Sequence, residues 1–242
     1  MIRCTQASTC SKETKEMNRI ALNSLILPAL IGATVTVASA DEEHYDIGVW
    51  NDGGTLTTGG WDHDTESLEV ANLRVFEGTF GEDPKFPFAT DEPGVGGAAA
   101  DVGLELGGTF TMNIAAGLGQ WNGNGFDAAT EELMNVSYGT TNVSTTTGGG
   151  IDFLVTEDYD NHPIFSIDSS GTPAVGAYLM ELNVTMDGLQ DSETFWIVFN
   201  LGLDEEDYET SVGWVEANLV PAPAALPVLG AMGLLVGRRR RN

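Results

Sequence analysis

Residues 178–186, YLMELNVTM, alternate with a period of two. Tyr178, Met180, Leu182, Val184 and Met186 share one side, and Glu181, Asn183 and Thr185 the other. Only an extended strand turns that order into one apolar and one polar face. Short β-branched and aromatic runs recur along the chain between clusters of Gly, Thr, Asn and Asp, the pattern of strands and turns. HYDIGVW (44–50), NDGG (51–54) and TLTTG (55–59) predict a hairpin, with Asn and Gly supplying positive φ at its tip. VANLRVFEGTF (70–80), VGLELGGTFTMNI (102–114) and MNVSYGTTNVSTTT (134–147) predict further strands. FWIVFNL (195–201) is apolar on both faces, as in a central strand covered twice. DAATEELM (127–134) looks helical for about two turns. DEPGVGGAAAD (91–101) reads as a long surface loop and DEED (204–207) as a solvated one. The expected fold class is all-β: a single antiparallel β-sandwich of jelly-roll type. Two smaller β-modules divided near residues 145–150 form the alternative.

The flanks differ in kind. Within residues 17–40, Arg19 precedes an apolar stretch that closes on Ala38, Ser39 and Ala40. A basic front, an apolar middle and a small-x-small end are the parts of a secretory signal peptide, cleaved after Ala40. Translation starts at Met1 or Met17. The expected organisation is residues 1–40 as extension and signal, 41–219 as the β-domain and 220–242 as a tail. Cys4 and Cys10 both precede the signal's apolar core. The body therefore has no cysteine for a disulfide, a thiolate nucleophile or a sulfur-ligated metal.

Charge narrows the function classes. Of the 36 acidic residues only Glu13 and Glu16 lie outside the body, and only Arg74 and Lys85 oppose them inside it. Its formal charge is −32, from 34 acids less 2 bases. Such a surface repels nucleic acid and anionic lipid and attracts cations. It also implies a medium salty enough to screen self-repulsion.

The tail reads VPAPAALPVLGAMGLLVGRRRRN. Its apolar run 224–237 would span about 21 Å as a helix, short of the ~30 Å hydrocarbon core. Pro221 and Pro223 resist extending that helix upstream. Arg238, Arg239, Arg240 and Arg241 would stay on the cytoplasmic side. This segment suits transient membrane insertion. It resembles the PEP-CTERM sorting signal, with its Pro-x-Pro motif, short hydrophobic span and terminal basic cluster; Ala222 stands where that signal usually has Glu. The resemblance implies processing by an exosortase near the proline motif and delivery to the cell surface or extracellular matrix. The body segments HYDIGVWNDGG, LRVFEGTFGEDPKF, DEPG, QWNGNGF and ETFWIVFNLG resemble a family of exported PEP-CTERM proteins of undetermined activity. Some members are linked to zinc-responsive regulation, and the family often carries a His-x-His pair where this chain has the single His162 in DYDNHPIFSI.

Candidate ligands follow from composition. The body's histidines are His44, His63 and His162, each beside carboxylates: Asp46, then Asp62 and Asp64, then Asp158 and Asp160. Two or three imidazoles with a carboxylate suit zinc. The candidate metal set is His44, Asp46, His63, Asp64, Asp160 and His162. DHDTE (62–66) and DYDN (158–161) alternate oxygen donors as calcium prefers, without completing the calcium loop motif. G-x-S-x-G, S-x-x-K and H-E-x-x-H are absent from the body, and catalysis is not expected. Trp50, Trp61, Trp121 and Trp214, with Asn122, Asn124 and Asp127, offer a carbohydrate-stacking alternative, while Trp196 is assigned to the core. The expected protein is thus an exosortase-processed surface or matrix protein without catalytic activity. Its expected partners are the exosortase and extracellular polysaccharide. Metal binding (zinc or calcium) and carbohydrate binding are the alternatives.

Overall fold

A computed structural model describes residues 45–221, all within one compact unit. His44, the signal peptide with Ala38 and Ala40, and the tail from residue 222 with Pro223 and the four arginines lie outside the described residues. Pro221 is exposed at their edge. Among the described residues, no helix is long and apolar enough to cross a membrane.

Among the described residues the fold is all-β, with one substantial helix. β1 (Asp46–Asp52) and β2 (Thr55–Asp62) form the expected hairpin around Gly53 and Gly54, both at positive φ. β3 (Ser67–Ala71) completes a three-stranded sheet in the order β1-β2-β3. Next come β4 (Val75–Thr79), β5 (Ala89–Thr90), β6 (Val95–Gly97), the single turn α1 (Ala99–Val102) and β7 (Thr109–Ile114). β8 (Gly119–Trp121), β9 (Phe126–Ala128), β10 (Leu133–Tyr138), β11 (Thr141–Ser144) and β12 (Gly149–Leu154) follow. β13 (Tyr159–Asn161), β14 (Ile164–Asp168), β15 (Gly176–Met186), β16 (Phe195–Leu201) and α2 (Glu205–Asn218) close the domain.

The largest sheet runs β12-β7-β15-β16-β4, with β8 and β9 attached to β15. A four-stranded sheet runs β11-β10-β14-β5, and β13 pairs with β6. One pair breaks the expected antiparallel pattern: β4 and β16 are parallel.

Strand alternation sorts side chains between two cores. Along β15 and β16, Tyr178, Met180, Leu182, Phe195, Ile197 and Phe199 join the main core. Ala177, Leu179, Trp196 and Val198 point the other way, onto Tyr208, Val212 and Val215 of α2. This double covering is what the two-faced FWIVFNL run requires. Ring contacts Tyr138–Phe153 at 5.1 Å and Phe165–Phe199 at 5.0 Å join the four-stranded sheet to the largest one.

Three expectations are corrected. Residues 127–134 form no helix; they end β9 and begin β10. Pairing of Asp127 and Ala128 with β8, and of Leu133 and Met134 with β14, overrides the helical preference of Ala and Leu. Residues 204–207 are no solvated loop but the cap and first turn of α2, with the Asp204 carboxylate accepting the Asp207 N–H at 3.1 Å. Residues 91–101 are not all surface: Val95, Gly96 and Gly97 are buried as β6.

That last segment positions the site. The Trp61 ring packs against Gly96, and the Tyr159 ring against Gly97, each where a Cβ would collide with it. Glycine lets β6 slide between two aromatic rings. The end of β2 is thereby brought to β6 and its partner β13.

Candidate metal centre

Four donors from distant parts of the chain converge here. Asp46 opens β1, His63 lies in the turn after β2, Asp160 is in β13 and His162 follows it. One ligand atom from each lies within 4.8 Å of the others. Asp160 and His162 are two residues apart in extended chain, which puts both side chains on one face.

The contacts are polar and specific. His63 Nε2 meets Asp46 Oδ2 and lies 3.7 Å from Asp160 Oδ1. His162 Nε2 is 2.8 Å from the same Asp160 oxygen. The two imidazoles stack with centroids 5.9 Å apart. With metal bonds of about 2.0–2.1 Å, tetrahedral donors stand roughly 3.3 Å apart. The separations from Asp160 Oδ1, 2.8 Å to His162 and 3.7 Å to His63, bracket that figure, whereas His63 and Asp46 stand closer together.

An outer set of backbone groups fixes the donors. The Gly94 N–H donates to Asp46 Oδ1 at 2.7 Å, leaving Oδ2 toward His63. The Asp91 carbonyl accepts from His162 Nδ1 at 3.1 Å, leaving Nε2 toward Asp160. Such second contacts select tautomer and orientation in metal sites. Glu92 stands behind His162, its Oε1 3.6 Å from Nδ1.

Exposure is graded across the centre. The Asp46 side chain is 4% exposed, whereas His162 is 31%, His63 41% and Asp160 57% exposed. One wall is inside the protein and the opposite side is open to solvent.

Both histidines are tuned by the carboxylates. Burial lowers the His63 pKa, but the hydrogen bond and charge of Asp46, aided by Asp160, outweigh it and raise it above 6.5. Burial also lowers His162. The Asp91 carbonyl and the charges of Glu92, Asp46 and Asp160 raise it past its ordinary value. Burial, then the Asp46 charge, pushes Glu92 upward. This concentration of negative charge favours cations of either kind, protons or metal.

The remaining candidates sit elsewhere. Asp64 neighbours His63 but is not among the four converging donors. In the 62–66 stretch, Asp62 Oδ1 accepts the N–H groups of Asp64 and Thr65, holding the turn itself. In the 158–161 stretch, Asp160 joins the histidines, while Asn161 accepts from the Tyr138 hydroxyl. Trp61 is core, which removes it as a sugar platform. Trp50 is half-buried against the same core. Trp121 and Trp214 pack on each other and on Phe126, and Asn122 is spent on Asp127 at 2.8 Å and on the Asn124 N–H. Trp196 is buried beneath α2, with the Arg74 guanidinium 5.2 Å over its ring.

The sequence reading missed Asp91, Glu92 and Gly94. Two of the three act through backbone atoms, which carry no signature in residue type.

No protein-family model, curated protein or solved structure matches the chain.

Proposed function

We propose that the protein is an exported, non-catalytic surface or matrix protein whose body binds one divalent ion of the zinc class. Asp46, His63, Asp160 and His162 are its ligands. The observation that carries this reading is the convergence of two imidazoles and two carboxylates within 4.8 Å. Calcium takes six to eight oxygens, and only two of these four donors offer oxygen. Zinc takes four donors and accepts nitrogen and oxygen alike.

The ion's role is structural in this reading. It ties the β1–β2 hairpin to β13, in a body that has no cysteine to do the same. The open outer side suits reversible loading from the medium. Export is supported by the signal-like residues 17–40 and by the PEP-CTERM-like tail. Exosortase processing would release the body from its transient membrane hold. The contacts between the four-stranded and the largest sheet support a sandwich as the finer description of the fold.

Calorimetric titration of metal-stripped protein with Zn²⁺ and Ca²⁺ tests the reading. Zn²⁺ is expected to bind at micromolar concentration or below, and His162→Ala to weaken it. Equal Zn²⁺ binding by wild type and His162→Ala would refute it.

A further inference from the structure

We propose that Gly94 is the positioning residue of this centre, its missing side chain and its backbone N–H together admitting Asp46 and His162 to one ion. The inference rests on the metal-binding reading above and asks what holds the donors in register.

Space gives the first reason. A Cβ on Gly94 would lie 2.7 Å from Asp46 Oδ2, 2.8 Å from Asp46 Oδ1 and 2.8 Å from His162 Cε1. All three distances are shorter than real Cβ contacts allow. The φ of Gly94 is outside the left-handed region, and alanine is therefore conformationally permitted there. The site, not the backbone, requires glycine.

Anchoring gives the second. The Gly94 carbonyl accepts from Ile47 N–H at 3.0 Å, and Gly96, two residues on, is packed against Trp61. The segment cannot step back to make room. β6 pairs Asn161 with Val95, which sets Gly94 level with His162. Asp46 is buried, whereas His162 is partly exposed and freer to move. An added methyl group would therefore swing the imidazole outward and take Nε2 out of the centre.

The Gly94 amide gives the third. It holds Asp46 Oδ1 at 2.7 Å, while the Asp91 carbonyl, three residues back, holds His162 Nδ1. The 91–94 segment thus selects both the oxygen and the nitrogen that face the ion.

Cobalt(II) binding by metal-stripped protein is the test, because its visible absorption reports ligand number and type. Gly94→Ala is expected to lose about 10–100-fold in Co²⁺ affinity, the usual effect of disturbing an outer contact. Its Co²⁺ spectrum is expected to change while the metal-free far-ultraviolet dichroism does not. Gly213→Ala, whose methyl meets open space on α2, serves as control and keeps the wild-type spectrum. If Gly94→Ala binds Co²⁺ with wild-type affinity and spectrum, the positioning role is wrong and the metal reading survives. If wild type binds no Co²⁺, the metal reading itself fails. Should Gly94→Ala not fold, long-range ¹H–¹⁵N spectra of wild type decide. At a pH where the ring is neutral, a His162 proton on Nδ1 and a Gly94 amide resonance that moves together with Nε2 on addition of Zn²⁺ support the assignment; a neutral ring protonated on Nε2, or an unmoved Gly94 amide, overturns it.

Discussion

Loading the centre with Zn²⁺ should raise the melting temperature, and the structure sets the scale. Asp46 and His63 come from the first hairpin, while Asp160 and His162 come from β13. An ion joining them closes a loop of roughly 100 residues, for which the chain-entropy model allows about 4.7 kcal/mol. The stabilisation realised depends on occupancy. At a free concentration about 100 times Kd, mass action gives about 2.7 kcal/mol, which lies under that ceiling. For a domain of this size each kcal/mol moves the midpoint by about 2–4 °C, so the expected rise is about 5–11 °C. The assay is scanning calorimetry of metal-stripped protein at moderate salt, with Zn²⁺, Mg²⁺ or chelator added. Moderate salt matters because any divalent cation screens a charge of −32. Mg²⁺ measures that general effect, and Zn²⁺ should exceed it. A Zn²⁺ shift no larger than the Mg²⁺ shift would refute the reasoning. So would a full Zn²⁺ shift in an Asp46→Ala, His162→Ala double variant.

Other outcomes follow from the same geometry. Without metal, His63 and His162 have raised folded pKa values. Their contribution to stability is therefore full below the unfolded value of ~6.5 and is lost as pH rises through the folded values. The ion competes with protons for the same nitrogens, so the Zn²⁺-induced rise should grow across that interval; parallel melts with and without chelator over about pH 5.5–8 test this crossing. Gly96→Ala drives a methyl into the buried Trp61 indole and should cost about 1–3 kcal/mol in urea unfolding; an unchanged midpoint would contradict the packing. Asp204→Ala removes the α2 cap and should cost about 1 kcal/mol by the same assay. No loss there would mean that residues 204–207 are the loop they resemble in sequence.

Much of the sheet framework is legible in the residues. YLMELNVTM announces its two faces, and FWIVFNL announces a strand covered twice, because side-chain alternation maps directly onto burial. The β1–β2 hairpin is visible because its turn needs positive φ and carries two glycines. β6 is invisible for the opposite reason. Glycines have no side chains to alternate, and the burial of Gly96 and Gly97 depends on Trp61 and Tyr159 arriving from elsewhere. α2 did carry a signal: Asp204 ahead of three acids, then Tyr208, Ser211, Val212 and Val215 at helical spacing. In a chain with 36 acids that capping pattern is easily lost among solvated runs. For the candidate centre, residue type pointed to Asp46, His63, Asp160 and His162, whereas their convergence depends on β2 and β13 both docking on β6. Asp64 looks equivalent to Asp160 in sequence. It stays exposed in the turn after β2, its N–H bonded to Asp62, and is not among the converging donors.

Zinc-edge X-ray absorption of the loaded protein tests the central claim most directly. The account predicts a first shell of four nitrogen and oxygen neighbours at about 2.0–2.1 Å, with the outer-shell scattering of two imidazoles. His162→Ala should remove one of those imidazoles. An oxygen-only shell, or an unchanged spectrum in that variant, would contradict a centre built from Asp46, His63, Asp160 and His162.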